Sequence, residues 1–396
     1  MKKIIKYIII AIILIFAVIS FSKYYGFIND FNNFDVSGTN TKQVKEDKLI
    51  KDSDIKKSIF KDYYNQARKV VTSMTLEEKV GQLFLVRYRK EDVEYLSNFT
   101  PGGYILFAKD FENYTKESIK EELANDQKLN KYGLILGVDE EGGFVTRISR
   151  YPSFRSEKFK SPKTYYEEGG YQLLEQTENE KAKMLKEIGI NLNLAPVADI
   201  STNPEDFIYN RSFGYDTKKT SEFIKNMVTY ANNNKINSCL KHFPGYGNNI
   251  DTHTGVAIDE RNYDNIIQND YLPFKAGIDA GVPSILISHN VVKAIDENYP
   301  ASLSEKMVSE LRKNLKFTGI IMTDDLAMDA VKNYVDDGHA ATLAIQAGND
   351  MIITSDFMSM YKEVINSVNE GKISEEQINK AALRVIAWKY YSNILN

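Results

Sequence analysis

Residues Lys241 to His253 read K-H-F-P-G-Y-G-N-N-I-D-T-H and gather two of the chain's four histidines with a lysine and an aspartate. Pro244, Gly245 and Gly247 make the middle of this stretch a loop. An imidazole titrates near neutrality, so a loop carrying Asp251 and His253 can bring a proton-transfer group to a polar pocket. Asp251, two positions before His253, can orient the ring and hold the imidazolium charge. A second reactive element is Asp324, at the end of the run G-I-I-M-T-D-D-L. A carboxylate held rigidly at a strand end can attack an electrophilic carbon and form an ester. Asp325 points the opposite way along a strand and is free to cap the next helix. Lys241 and Arg211 supply donors for substrate hydroxyls or carboxylates. His242, Asp251, His253 and His289 could instead gather a metal. No H-x-H follows the first strand and no H-E-x-x-H occurs, so neither a metal nor another cofactor is expected.

These residues need a frame, and the apolar pattern supplies one. Short apolar runs at Val80–Leu85, Tyr104–Phe107, Leu134–Val138, Ile190–Val197, Asn237–Leu240, Ser284–Ile287, Gly319–Met322 and Asp350–Ile353 read as strands. Amphipathic stretches such as Glu117–Leu129, Leu173–Lys186 and Glu222–Asn233 lie between them. The alternation predicts an α/β chain with a parallel sheet, most simply closed as a (β/α)8 barrel of the TIM type. A doubly wound open sheet is the alternative, but no G-x-G-x-x-G follows the first strand. Asp139 and Glu140, Asp199, Lys241 and His242, Ser288–Asn290, and Asp324 and Asp325 follow five successive runs. That is the face on which barrels of this type build their sites.

The 396 residues are 43% hydrophobic and 26% charged, an ordinary globular mixture with ample core. A net charge of −4 offers no basic field for nucleic acid. The single cysteine, Cys239, rules out an internal disulfide framework and reads as a small buried core residue. Lys2, Lys3 and Lys6 precede an apolar stretch from Tyr7 to Phe21, which Lys23 follows. Residues 1–22 read as a signal anchor or a signal peptide, with the N-terminus cytoplasmic and the rest exported. The expected products are a membrane-anchored extracellular domain or, if the leader is cut, a secreted one. Residues 23–60, rich in Asn, Asp, Lys and Ser, read as a polar linker, and 61–396 as the barrel domain.

The segment Lys241–His253 resembles the K-H-F-P-G-H-G…D-S-H loop of glycoside hydrolase family 3, in its β-N-acetylglucosaminidase (β-hexosaminidase) branch. Further pieces follow in family order: Gly137-Val-Asp139-Glu-Glu-Gly-Gly143, Asn193-Leu-Ala-Pro-Val-Ala-Asp199, Asn210-Arg-Ser-Phe-Gly214, Tyr299-Pro-Ala-Ser-Leu303, Gly319–Met328 and Ala381–Ile386. The resemblance spans about residues 70–390. It implies a retaining exo-glycosidase that removes terminal β-linked N-acetylglucosamine from an amino-sugar oligosaccharide or muropeptide. On that basis Asp324 is the expected nucleophile and His253, with Asp251 as partner, the acid/base. Asp139, Arg147, Arg211, Lys241 and His242 match sugar-binding positions. A histidine in place of the usual second carboxylate carries less negative charge, so phosphorolysis stands beside hydrolysis as an alternative. A silent wall-glycan-binding protein is a third. Two departures stand out: Tyr246 replaces the family's second loop histidine, and Phe144 replaces the arginine that follows the paired glycines. Without a second sandwich domain, the acid/base is expected from the barrel itself.

Overall fold

The structure, a computed structural model, describes residues 55–247 and 257–396, with 329–330, 332–333 and 336–338 excepted. The leader, most of the linker, Asp251 and His253 lie outside the described residues. Eight parallel strands close a barrel: β1 (Phe84–Arg87), β2 (Gly103–Leu106), β3 (Ile135–Val138), β4 (Leu192–Asn193), β5 (Asn237–Phe243), β7 (Ser284–Ile287), β9 (Ile320–Asp325) and β10 (Met351–Thr354). Around the barrel the order is β1-β10-β9-β7-β5-β4-β3-β2, so the first and last strands are neighbours. Two short strands, β6 (Ile258–Asp259) and β8 (Val291–Val292), pair with each other apart from the barrel. This is the α/β barrel that the repeating pattern implies. Its strands are buried on both faces, which is why they read as unbroken apolar runs rather than as alternation.

Local chemistry sets the element ends. Thr75 accepts from the Glu78 N–H while the Glu78 carboxylate accepts from the Thr75 N–H, which starts the helix Leu76–Gln82. That box claims Val80–Gln82 for a helix, so β1 begins at Phe84 rather than at Val80, where the predicted run starts. Ser161, Asp216 and Ser374 cap the helices Pro162–Glu187, Thr217–Asn233 and Glu375–Tyr391 with their side chains, Ser374 with a reciprocal bond from Gln377 as well. β5 is longer than its apolar run suggests and carries Lys241 and His242 within the strand. β4 is shorter, but pairing continues irregularly past it. Cys239 N–H donates to Ala195 O at 3.0 Å and Ala198 N–H to Lys241 O at 2.7 Å.

The last helix, Glu375–Tyr391, closes the barrel floor. Trp388 Nε1 donates to Asn237 Oδ1 at 2.9 Å, at the start of β5. Lys389, fully buried, donates to Gln82 Oε1 and Gly133 O at 2.6 Å each and to Tyr132 O at 3.3 Å. Burial pushes its pKa well below that of an ordinary lysine. Packing reaches back to Phe60, also fully buried, whose ring lies 5.3 Å from that of Tyr391. Among the described residues no helix is long and apolar enough to cross a membrane.

Candidate active site

The chain leaving β3 carries three acids in a row, with different fates. Glu140 is fully buried and serves the backbone. Its Oε2 accepts from the Arg147 and Ile148 N–H groups at 2.7 Å each, and its Oε1 from the Ser149 N–H at 3.3 Å and the Ser149 hydroxyl. These bonds fix the loop that delivers Arg147. Asp139 and Glu141, two positions apart, straddle the ammonium of Lys241. Lys241 Nζ lies 2.7 Å from Asp139 Oδ1 and 2.6 Å from Glu141 Oε1. Arg147 Nη2 reaches the other Asp139 oxygen at 3.4 Å, and Arg211 takes Glu141 with two nitrogens, at 2.7 and 3.1 Å. Burial alone would raise both carboxyl pKa values. Lys241 with Arg147 for Asp139, and Lys241 with Arg211 for Glu141, more than offset it, so both are lowered and Glu141 lies well below the usual carboxylate range. Burial would likewise depress Lys241, yet its two acids raise it above an ordinary lysine. The set is fully charged near neutrality.

His242 extends this network. Its Nε2 lies 3.2 Å from Arg211 Nη2, and a guanidinium only donates, so Nε2 is the acceptor. The ring proton therefore sits on Nδ1, which donates to Asp199 Oδ2 at 2.8 Å. The same carboxylate also accepts from the His242 N–H at 3.0 Å and the Tyr246 N–H at 2.7 Å. The Tyr246 ring, buried, meets His242 edge-on with centroids 5.0 Å apart. The residue at the departed histidine position thus packs the site wall. Phe144, at the other departure, is 75% exposed.

Across the barrel, β9 holds one residue more than its partner: Met351 pairs with Met322, but Ile353 pairs with Asp325. Such a bulge re-aims side chains at a strand end. The Asp325 carboxylate accepts from Ser355, just past β10, through its N–H at 3.1 Å and Oγ at 2.9 Å, and from the Ala327 N–H at 2.9 Å. Asp324 Oδ1 accepts from the Asp325 N–H at 2.8 Å. Cys239, buried below on β5, has its thiol pushed up to about 12, mainly by burial, with the charges of Asp139 and Asp324 adding to it and that of Lys241 opposing. β3, β5 and β9 run parallel, so Asp139 just past the end of β3, Lys241 near the end of β5 and Asp324 near the end of β9 stand at the same end of the barrel.

Asp139, Arg147, Arg211, Lys241 and His242 form one connected polar network through Glu141, at the end of the barrel that carries Asp324. Asp251 and His253 fall outside the described residues. The chain on either side of them is clasped, because Arg261 bridges Asp259 at 2.7 Å and Asp270 at 2.8 Å. Gly245 and Gly247 pack directly against Asp270 and Arg261. Sequence reasoning gave no role to Glu141, although its spacing of two from Asp139 was the available signal. Asp199 was noted at a strand end without its tie to His242. Nothing in the sequence marked Phe107, over whose ring the guanidinium of Arg147 lies at 5.1 Å and that of Arg87 at 4.5 Å.

Residues 75–388 match the model of the glycosyl hydrolase family 3 N terminal domain. The chain belongs to glycosyl hydrolase family 3. Among its relatives, a β-hexosaminidase of Nitrosomonas eutropha is 32% identical over 279 residues, covering 69% of this chain and 79% of that protein. A β-hexosaminidase of Methylobacillus flagellatus is 30% identical over 276 residues, covering 67% and 76%. The fold matches a family 3 β-N-acetylglucosaminidase from Paenibacillus sp. with a TM-score of 0.75 at 25% identity, covering 81% of this chain and 63% of that one. It matches a β-N-acetylhexosaminidase from Beutenbergia cavernae with a TM-score of 0.70 at 26% identity, covering 80% and 99%. This family 3 chain is a glycoside hydrolase.

Proposed function

We propose that the protein is a retaining exo-β-N-acetylhexosaminidase acting on terminal β-linked N-acetylglucosamine of peptidoglycan or chitin-like fragments. The observation that carries the reading is the buried Asp139–Lys241–Glu141–Arg211 network at the end of the barrel where Asp324 closes β9. Alternating fixed charges suit a sugar ring, whose hydroxyls each donate and accept. Asp139, Arg147, Arg211, Lys241 and His242 bind the terminal sugar. The Asp324 carboxylate attacks the anomeric carbon as the glycosidic C–O bond breaks, and His253, oriented by Asp251, protonates the departing oxygen. His253 then removes a proton from water, which attacks the same carbon and releases Asp324 from the ester. The relatives' names support the amino-sugar substrate. The leader's charge pattern supports an exported, membrane-anchored or secreted location.

The test is product analysis on chitobiose and peptidoglycan fragments, with and without phosphate. Free N-acetylglucosamine in both cases supports hydrolysis, whereas a sugar 1-phosphate would make the enzyme a phosphorylase. Asp324→Ala should reduce turnover of a chromogenic N-acetylglucosaminide at least about 10³-fold. Wild-type rates in that variant would remove Asp324 from its role.

A further inference from the structure

His289 lies in none of the sugar-binding positions, yet it is fully buried beside the end of β9. Its Nε2 is 3.0 Å from the carbonyl oxygen of Asp325. A carbonyl only accepts, so Nε2 carries a proton, and in the neutral ring Nδ1 is then the acceptor. Nδ1 sits 2.7 Å from Ser302 Oγ, whose hydroxyl must therefore donate to it. Ser302 is itself fixed on both backbone sides: its N–H donates to Ser288 O at 3.0 Å and its carbonyl accepts from Asn349 Nδ2 at 2.8 Å. The imidazole is thus locked in one tautomer and orientation, with its single N–H aimed at the residue after Asp324.

We infer that His289 is a positioning residue for the Asp324 carboxylate, acting through Asp325. The inference rests on the reading of Asp324 as nucleophile. Asp325 is the intermediary because its own N–H donates to Asp324 Oδ1 at 2.8 Å. Its side chain is clamped to Ser355 and Ala327, and Leu326 N–H donates to Ile353 O at 3.1 Å. Those bonds hold the strand end in the barrel without His289. What His289 adds is a fixed direction for the Asp325 backbone, and with it for the N–H that orients the nucleophile. A carboxylate free to rotate attacks less often along the required line, and misplacements of about 1 Å at a reacting centre cost about 100-fold in rate. Ser302 matters in turn because its hydroxyl keeps the proton on Nε2.

The experiment uses a 5-fluoro N-acetylglucosaminyl fluoride. The nucleophile's oxygen displaces fluoride from the anomeric carbon, and the ring fluorine slows hydrolysis of the resulting ester. The saturating labelling rate, the half-saturating concentration and the labelled peptide are measured for wild type, His289→Phe and His289→Gln, alongside thermal melts. His289→Phe keeps a ring and loses the donor. It should label Asp324 about 10- to 100-fold more slowly with an unchanged half-saturating concentration. His289→Gln, whose amide can still donate to the Asp325 carbonyl, should stay within about 3-fold of wild type. Equal rates in wild type and His289→Phe, equal slowing by Phe and Gln, or a change confined to the half-saturating concentration would overturn the inference. Should His289→Phe not fold, Ser302→Ala decides. A rate about 3- to 10-fold lower and restored by Ser302→Thr supports the lock, and an unchanged rate refutes it. A wild-type label on any residue other than Asp324 would instead remove the nucleophile reading itself.

Discussion

Replacing Lys241 by Met keeps most of the side-chain volume and deletes one charge between two buried acids. The ammonium lies 2.7 Å from Asp139 and 2.6 Å from Glu141. At an effective dielectric of about 20, each contact is a gross attraction of about 6 kcal/mol, most of it offset by the desolvation of three charges. Removing one partner leaves the desolvation of the others in place, which costs about 3–5 kcal/mol for buried pairs. Arg147 still touches Asp139 and Arg211 still touches Glu141, so the lower end, about 3 kcal/mol, is expected. In a domain of this size that is a fall of about 5 °C in Tm at pH 7. In the wild type both acids have depressed pKa values. Their contribution is complete above the unfolded carboxylate range and is lost only as pH falls through the folded pKa. In Lys241→Met their pKa values rise, and the penalty is relieved as pH falls through the new, higher values. The gap between the two proteins should therefore narrow from pH 7 to pH 5. Calorimetric melts across that window read both quantities. A loss below about 1 kcal/mol at pH 7, or a gap that widens in acid, would refute the coupling.

Other expectations follow from the same site. His253→Ala should lose most activity on glycosides with poor leaving groups and much less on activated aryl glycosides; equal losses in steady-state rates would argue against its acid role. Asp325→Ala removes the acceptor for Ser355 and Ala327 and should lower stability by about 1–2 kcal/mol in denaturant melts, because half-buried donors are left without partners. Gly247→Ala places a methyl about 2.7 Å from the Arg261 guanidinium at a residue with φ of +57°, and should cost about 1–3 kcal/mol by the same measurement.

The barrel was legible because its strands are sequestered on both faces, leaving Ile-Leu-Gly-Val or Ser-Ile-Leu-Ile with no polar alternation to confuse the pattern. Boundaries were less legible where a local rule competed. The Thr75–Glu78 box drew Val80 into a helix, and Lys241 and His242, polar enough to look like a strand's end, lie inside one. Asp139, Lys241 and His242 could be nominated from their positions after apolar runs. The ties between them could not, because Glu141 meets Arg211 across 70 residues of chain and Asp199 meets His242 across 43. Asp324 and Asp325 look alike in sequence, and β9 holds an added residue between Met322 and Asp325. Periodicity alone does not reveal such a bulge.

The floor of the barrel depends on the end of the chain. Lys389 and Trp388 satisfy groups at the starts of β1, β3 and β5, and the first strand finds one of its two neighbours only in the last. Half-made chains hold a sheet with an open edge and an uncovered base, and the contacts that seal both are among the most distant in sequence. Closure therefore waits for the final helix to emerge. The polypeptide passes through most of its synthesis as an unfinished cylinder that a strand from another molecule can join, a period during which a holding chaperone would be of most use.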